Sequence, residues 1–170
     1  MNLTAWLRGR VLLAAVIVAA AVLAVQAGQQ RARTANLRTF TNQAGWSVRY
    51  PPNWRFQSCK QCDNPTEPNA LLLLSSPSGH QTITIERLAD KPEGKAADTW
   101  LHEVAEGTAL TPIRREEWIA LDGSKALKVV NEGSENIYAV RGSLTVAIRY
   151  SRPAHTVLQI LSSFRFEHPK

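Results

Sequence analysis

From Trp118 to Tyr150 the chain repeats one pattern, a short apolar-rich run followed by a tight or polar turn. Residues 118–121 lead into Asp122-Gly123, a pair that favours a two-residue hairpin because both types tolerate positive φ. Residues 126–130 follow, then the polar stretch 131–136, then residues 137–140. Gly142-Ser143 is another tight-turn pair, and residues 144–150 return. Strands joined by such short turns pair with their sequence neighbours, which makes an antiparallel meander. A parallel doubly wound fold would need a helix after every strand.

Strand patterns recur upstream. An apolar-polar alternation starts at Phe40, and Trp46, Val48 and Tyr50 alternate with Ser47 and Arg49 until Pro51-Pro52 stops them. Residues 57–69 hold both cysteines, two prolines and many polar residues, and read as a loop. Leu71, Leu72, Leu73 and Leu74 form a strand-length apolar run, and Ile83 and Ile85 share one face of the alternating segment 82–88. The period then changes. Ala97, Trp100, Leu101, Val104 and Ala105 form one stripe of an amphipathic helix, and Gly107 sits where a C-terminal cap belongs. Pro153 suits the first turn of a second helix, whose apolar side is Val157, Leu158, Leu161 and Phe164, with Ile160 at its edge. Phe164 and Phe166 predict a short extended end. The expected fold class is α+β: one antiparallel sheet of six to seven strands flanked by two helices, plus an N-terminal hydrophobic helix.

That N-terminal segment predicts location. Arg8 and Arg10 precede fifteen residues, 11–25, with nothing polar, and Val25-Gln26-Ala27 ends in a small residue. This is the layout of a cleavable signal peptide. It is also close to an uncleaved anchor, because residues 11–27 meet the lower limit of about 17 residues for a span. Arg31, Arg33 and Arg38 follow the run as arginines precede it, so charge does not choose between the two. The expectation is a signal peptide or membrane anchor over residues 1–27, a linker over 28–38 and a domain over 39–170. The domain then lies in the periplasm or another extracytoplasmic space, released or tethered by its first helix.

Setting residues 1–27 aside leaves 143 residues, the size of one domain, and the formal charge falls from +6 to +4. A chain of that length buries about 68% of its unfolded surface, enough for its own core. The basic residues are scattered, and the Arg114-Arg115 pair is followed at once by Glu116 and Glu117. A nucleic-acid partner would need a basic stripe with interleaved aromatics, so none is expected.

Gly45-Trp46-Ser47-Val48-Arg49-Tyr50-Pro51-Pro52-Asn53-Trp54 and Leu161-Ser162-Ser163-Phe164-Arg165-Phe166 are motifs at opposite ends of the domain. In order and separation they resemble the PsbP/Mog-like superfamily, including its bacterial exported members, over about residues 38–168. The resemblance implies an α/β/α sandwich around an antiparallel sheet. PsbP proteins support photosystem assembly and Mog proteins bind a small GTPase, but no docking motif of either kind is found here. The matching residues, Gly45, Trp46, Tyr50, Pro51, Trp54 and Phe164, look structural, so the resemblance implies fold and not function.

Cys59-Lys60-Gln61-Cys62 is the one cluster with obvious chemistry. In an oxidising compartment the pair is read first as a loop disulfide. A redox role needs a lowered thiol pKa, usually from a helix N-terminus, and Asp63, Asn64 and Pro65 give no sign of a helix. A zinc site needs two more ligands. His80, His102, His155 and His168 are dispersed, and Glu103/Glu106 and Glu116/Glu117 sit on wet faces. No catalytic residue, metal ligand or cofactor motif is assigned. Trp6 falls in the targeting segment, where an interfacial anchoring role is expected, Trp46, Trp54, Trp100 and Trp118 read as core residues, and Trp54 with Phe56 would form a binding surface beside the cysteine loop if exposed. The favoured function is a non-catalytic binding or assembly factor with a protein partner at the cell envelope, in contact with the membrane through residues 11–27 if uncleaved. The alternatives are a redox or enzymatic module using Cys59 and Cys62, or a small-ligand carrier with an apolar pocket between sheet and helix.

Overall fold

The computed structural model describes residues 36–59, 71–109, 111–151 and 153–167, apart from the side chains of Cys59 and Leu71. The expected targeting segment, most of the expected linker, Cys62 and His168 lie outside the described residues. Among these residues the elements are β1 (Arg38–Asn42), β2 (Trp46–Tyr50), β3 (Arg55–Cys59), β4 (Leu71–Ser75) and β5 (Thr82–Arg87). Then come α1 (Ala97–Thr108), β6 (Arg115–Leu121), β7 (Ser124–Asn131), β8 (Ser134–Arg141), β9 (Leu144–Tyr150), α2 (His155–Ser162) and β10 (Arg165–Phe166). No helix among them is long and apolar enough to cross a membrane.

The fold is α+β, with antiparallel pairing throughout. The expected single sheet is two sheets. One has seven strands in the order β3-β4-β5-β9-β8-β7-β6, and the other three in the order β1-β2-β10. The meander β6 to β9 pairs neighbour to neighbour, and β9 then joins β5. Three details depart from the sequence reading. β3 takes the first part of the expected loop as an edge strand with exposed side chains, so its composition hides it. β1 starts at Arg38, the last residue of the expected linker. Gly107 lies inside α1, which runs to Thr108, whose hydroxyl donates to the Val104 carbonyl at 2.8 Å and meets Tyr138 Oη at 2.9 Å.

Alternation sorts the side chains of the large sheet into two cores. On one face α1 buries Leu101 and Ala105 against Leu127, Val129, Tyr138, Val140 and Ala147. On the other face the small sheet and α2 share a core in which Trp46, Val48, Val157, Ile160 and Phe164 meet Leu72, Ile85, Val146 and Ile148. Within it Trp46 stacks on Phe164 at 6.1 Å, which packs edge-on against Phe166 at 5.1 Å.

Asp122 joins the two sheets. Asp122 (φ 49°) and Gly123 (φ 71°) form the expected tight turn between β6 and β7. The β10 amide of Phe166 points away from β2 and donates to Asp122 Oδ2 at 2.9 Å. Arg141 bonds the same carboxylate at 3.2 Å, the Asp122 carbonyl and Ser124 Oγ, while its guanidinium lies over the Phe166 ring. One carboxylate thus replaces a neighbouring strand for β10.

Candidate functional site

The residues singled out in the sequence do not converge. Cys59 ends β3 opposite Leu71, and the rest of the cysteine cluster lies outside the described residues. Trp54 is buried at 7% exposure, so it cannot present a surface, whereas Phe56 is 50% exposed. Phe56 rests on Phe40 and Tyr50 at 6.0 and 6.2 Å, which anchors the ring on the core's rim. Trp118 departs from the expected core role. It is 40% exposed on β6, with His102 edge-on at 5.4 Å and the Lys125 ammonium over its ring at 4.4 Å. His102 pairs with Glu116 at 3.3 Å, while His80 and His155 are exposed. No set of three metal-ligand side chains is gathered among the described residues.

A different place does gather groups. Between α2 and the β6 edge of the large sheet lies an open groove of about 260 Å³. Its floor is Ile119, Leu121 and Ile137 of the sheet, and Leu161 of α2 lines the opposite side. Leu158, expected on the apolar side of α2, is 53% exposed on the groove's rim, while Val157, Ile160 and Leu161 take the buried stripe. Helical rotation explains this. Four apolar residues in a five-residue window span more than one face, and one must point outward.

The groove has a polar end. Lys128 lies opposite Ile137 on one side and Glu117 on the other, and Glu135 lies opposite Tyr150. Lys128 Nζ meets Glu135 Oε2 at 2.7 Å, and Tyr150 donates its hydroxyl to the same oxygen at 2.7 Å. Burial pulls the Glu135 pKa upward, but the bonds from Lys128 and Tyr150 and the charges of Lys128 and Arg115 outweigh it and leave it below the usual carboxylate value. Burial, then the bond and charge of Glu135, hold the Tyr150 hydroxyl well above the usual phenol value. Glu135 is therefore ionised and Tyr150 protonated at neutral pH. Neither is poised to exchange a proton there, so the pair is suited to fixed-charge recognition rather than acid–base catalysis. Glu117 remains at the mouth, 46% exposed and 3.3 Å from an Arg115 guanidinium that is itself 70% exposed.

The signal in the sequence for this site is slight. Lys128 shares the inward-facing register with Ala126 on β7, and a charge at such a position needs a partner across strands.

No known family model matches the chain, and no curated protein is similar to it. Among solved structures, a protein from Bacteroides thetaiotaomicron VPI-5482 is similar at 11% identity and a TM-score of 0.45. The match covers 78% of this chain and 49% of that one, so the chain spans about half its length. A likeness of this size carries no assignment.

Proposed function

We propose that this chain is an exported, non-catalytic binding domain of PsbP-like type that holds a protein partner at the cell envelope through the groove between β6 and α2. The observation that carries the reading is an open apolar groove ending in groups whose charges are fixed at neutral pH. The PsbP-like part rests on the two motifs, together with a helix against each face of an antiparallel sheet. Export rests on the apolar run at residues 11–25. A small-ligand carrier fits less well. The groove lies just under the range of about 300–1,000 Å³ usual for such sites and is open along one side, which suits a polypeptide segment better.

A photo-reactive amino acid at position 158 tests this in the expressing cell. The expected result is one discrete cross-linked partner, lost when Ile119→Lys fills the floor with charge, and no such adduct from position 93 on the exposed turn before α1. Equal labelling from both positions overturns the reading.

A further inference from the structure

We propose that β6 accepts an extended, basic-and-apolar segment of the partner by strand addition, in the order apolar-x-apolar-x-basic. This rests on the groove being the binding site and says how it is used.

Among the described residues β6 pairs with β7 alone, so it ends the large sheet. Alternate backbone N–H and C=O groups on its outer side then have no strand partner. Proteins guard such edges with charge, and Arg115, Glu116 and Glu117 do so along the first part of β6. Trp118, Ile119, Ala120 and Leu121 carry no charge, so the guard stops where the groove's apolar floor begins. A groove between an edge strand and a helix can take a peptide by main-chain pairing for affinity, with alternate side chains entering it for specificity.

The register fixes the order. Rows across the inner face run Val146, Ala139, Ala126, Ile119 and Ile148, Ile137, Lys128, Glu117. An eighth strand added antiparallel, as every pairing in this sheet is, extends both rows. The residue beside Ile119 must be apolar, because Leu158 and Leu161 overhang that row. The residue beside Glu117 must be basic. The groove is lined by one carboxylate, Glu117, and one ammonium, Lys128, and Lys128 is already held by Glu135 beside it, which leaves Glu117 to the incoming strand. The Arg115 guanidinium faces Glu117 only across an exposed pair, which a second cation in the sheet would readily displace. Antiparallel to β6, the apolar positions beside Leu121 and Ile119 precede the basic one.

The probe is the peptide acetyl-Ile-Thr-Val-Thr-Lys-Thr-amide, titrated into ¹⁵N-labelled protein in the form that the cell exports. Saturable shifts are expected at the amides of residues 115–121 and 158–162. Glutamate in place of the peptide's lysine should weaken binding by roughly fivefold, the effect of one cross-strand charge pair, and Glu117→Lys should reverse that preference. N-methylation of the peptide amides that face β6 should abolish the shifts. Groove shifts that survive N-methylation overturn strand addition and leave the groove reading standing. So does an absent peptide response beside an intact, Ile119-dependent cross-link from position 158. Loss of both the response and the cross-link overturns the two together.

Discussion

Replacing Asp122 separates three contributions that this one residue makes to holding the sheets together. Asp122→Ala removes a residue that tolerates positive φ, the acceptor of the Phe166 amide and a partner of Arg141. An ordinary side chain in the left-handed region costs about 1–2 kcal/mol. An amide left without its acceptor costs about 1–3 kcal/mol, and the half-buried ion pair adds at most about 1 kcal/mol. The expected loss is about 3 kcal/mol, and urea unfolding should show it as a lower midpoint with an unchanged slope. Asp122→Gly relieves the backbone conformation and keeps the other losses, so it should cost about 2 kcal/mol. Asp122→Asn keeps the turn and an acceptor, so it should cost about 1 kcal/mol or less. The order Asn, Gly, Ala is the prediction. If Gly is as damaging as Ala, the turn conformation contributes nothing. If Asn equals Ala, charge dominates and the hydrogen-bond argument is wrong. Amide exchange at Phe166 should rise in the Ala and Gly variants and stay slow with Asn.

Four further outcomes are expected at particular residues. Thr145→Val should cost about 1–2 kcal/mol in urea unfolding, because fully buried Thr145 Oγ1 accepts from Trp100 Nε1 at 2.8 Å and valine cannot; an unchanged midpoint would refute it. The Glu135 pKa is lowered in the folded state, so its contribution is present above the ordinary value of 4.5 and lost as pH falls through the folded value. Glu135→Gln should therefore flatten the acid limb of the stability profile, and an identical limb would refute the reading. The Tyr150 pKa is raised, so its contribution is present below the ordinary value of 10.0 and lost as pH rises beyond it; Tyr150→Phe should flatten the alkaline limb. Cys59 and Cys62 should be oxidised in freshly exported protein, and two free thiols by counting without reductant would rule the disulfide out.

The strands were legible where one face is wet or the turn chemistry is strong. Trp46, Val48 and Tyr50 alternate, and Asp122-Gly123 and Gly142-Ser143 mark hairpins that the structure contains. β3 was hidden because Arg55, Phe56, Gln57 and Ser58 sit on an edge and all stay exposed, so no apolar period is imposed on them. The division into two sheets was hidden for another reason. It depends on β2 pairing with β1 and with the two-residue β10 rather than with β3, a choice no local pattern encodes.

The groove was illegible for a reason that bears on its use. β7 is covered on both faces, with Ala126 in one core and Leu127 and Val129 in the other, so periodicity cannot say which face Lys128 belongs to. Only the pairing of β7 with β8 places Lys128 beside Ile137 and within reach of Glu135, and only α2, following β9 in the chain, roofs that end. A charge at such a position is costly to bury and is kept where its partners hold it. Lys128 and Tyr150 converge on one oxygen of Glu135, so breaking the pair from either side strands a half-buried charge or hydroxyl. Lys128→Met with Glu135→Gln should therefore be better tolerated than Lys128→Met alone. Equal destabilisation by the single and the double variant would show that the network is incidental to the groove.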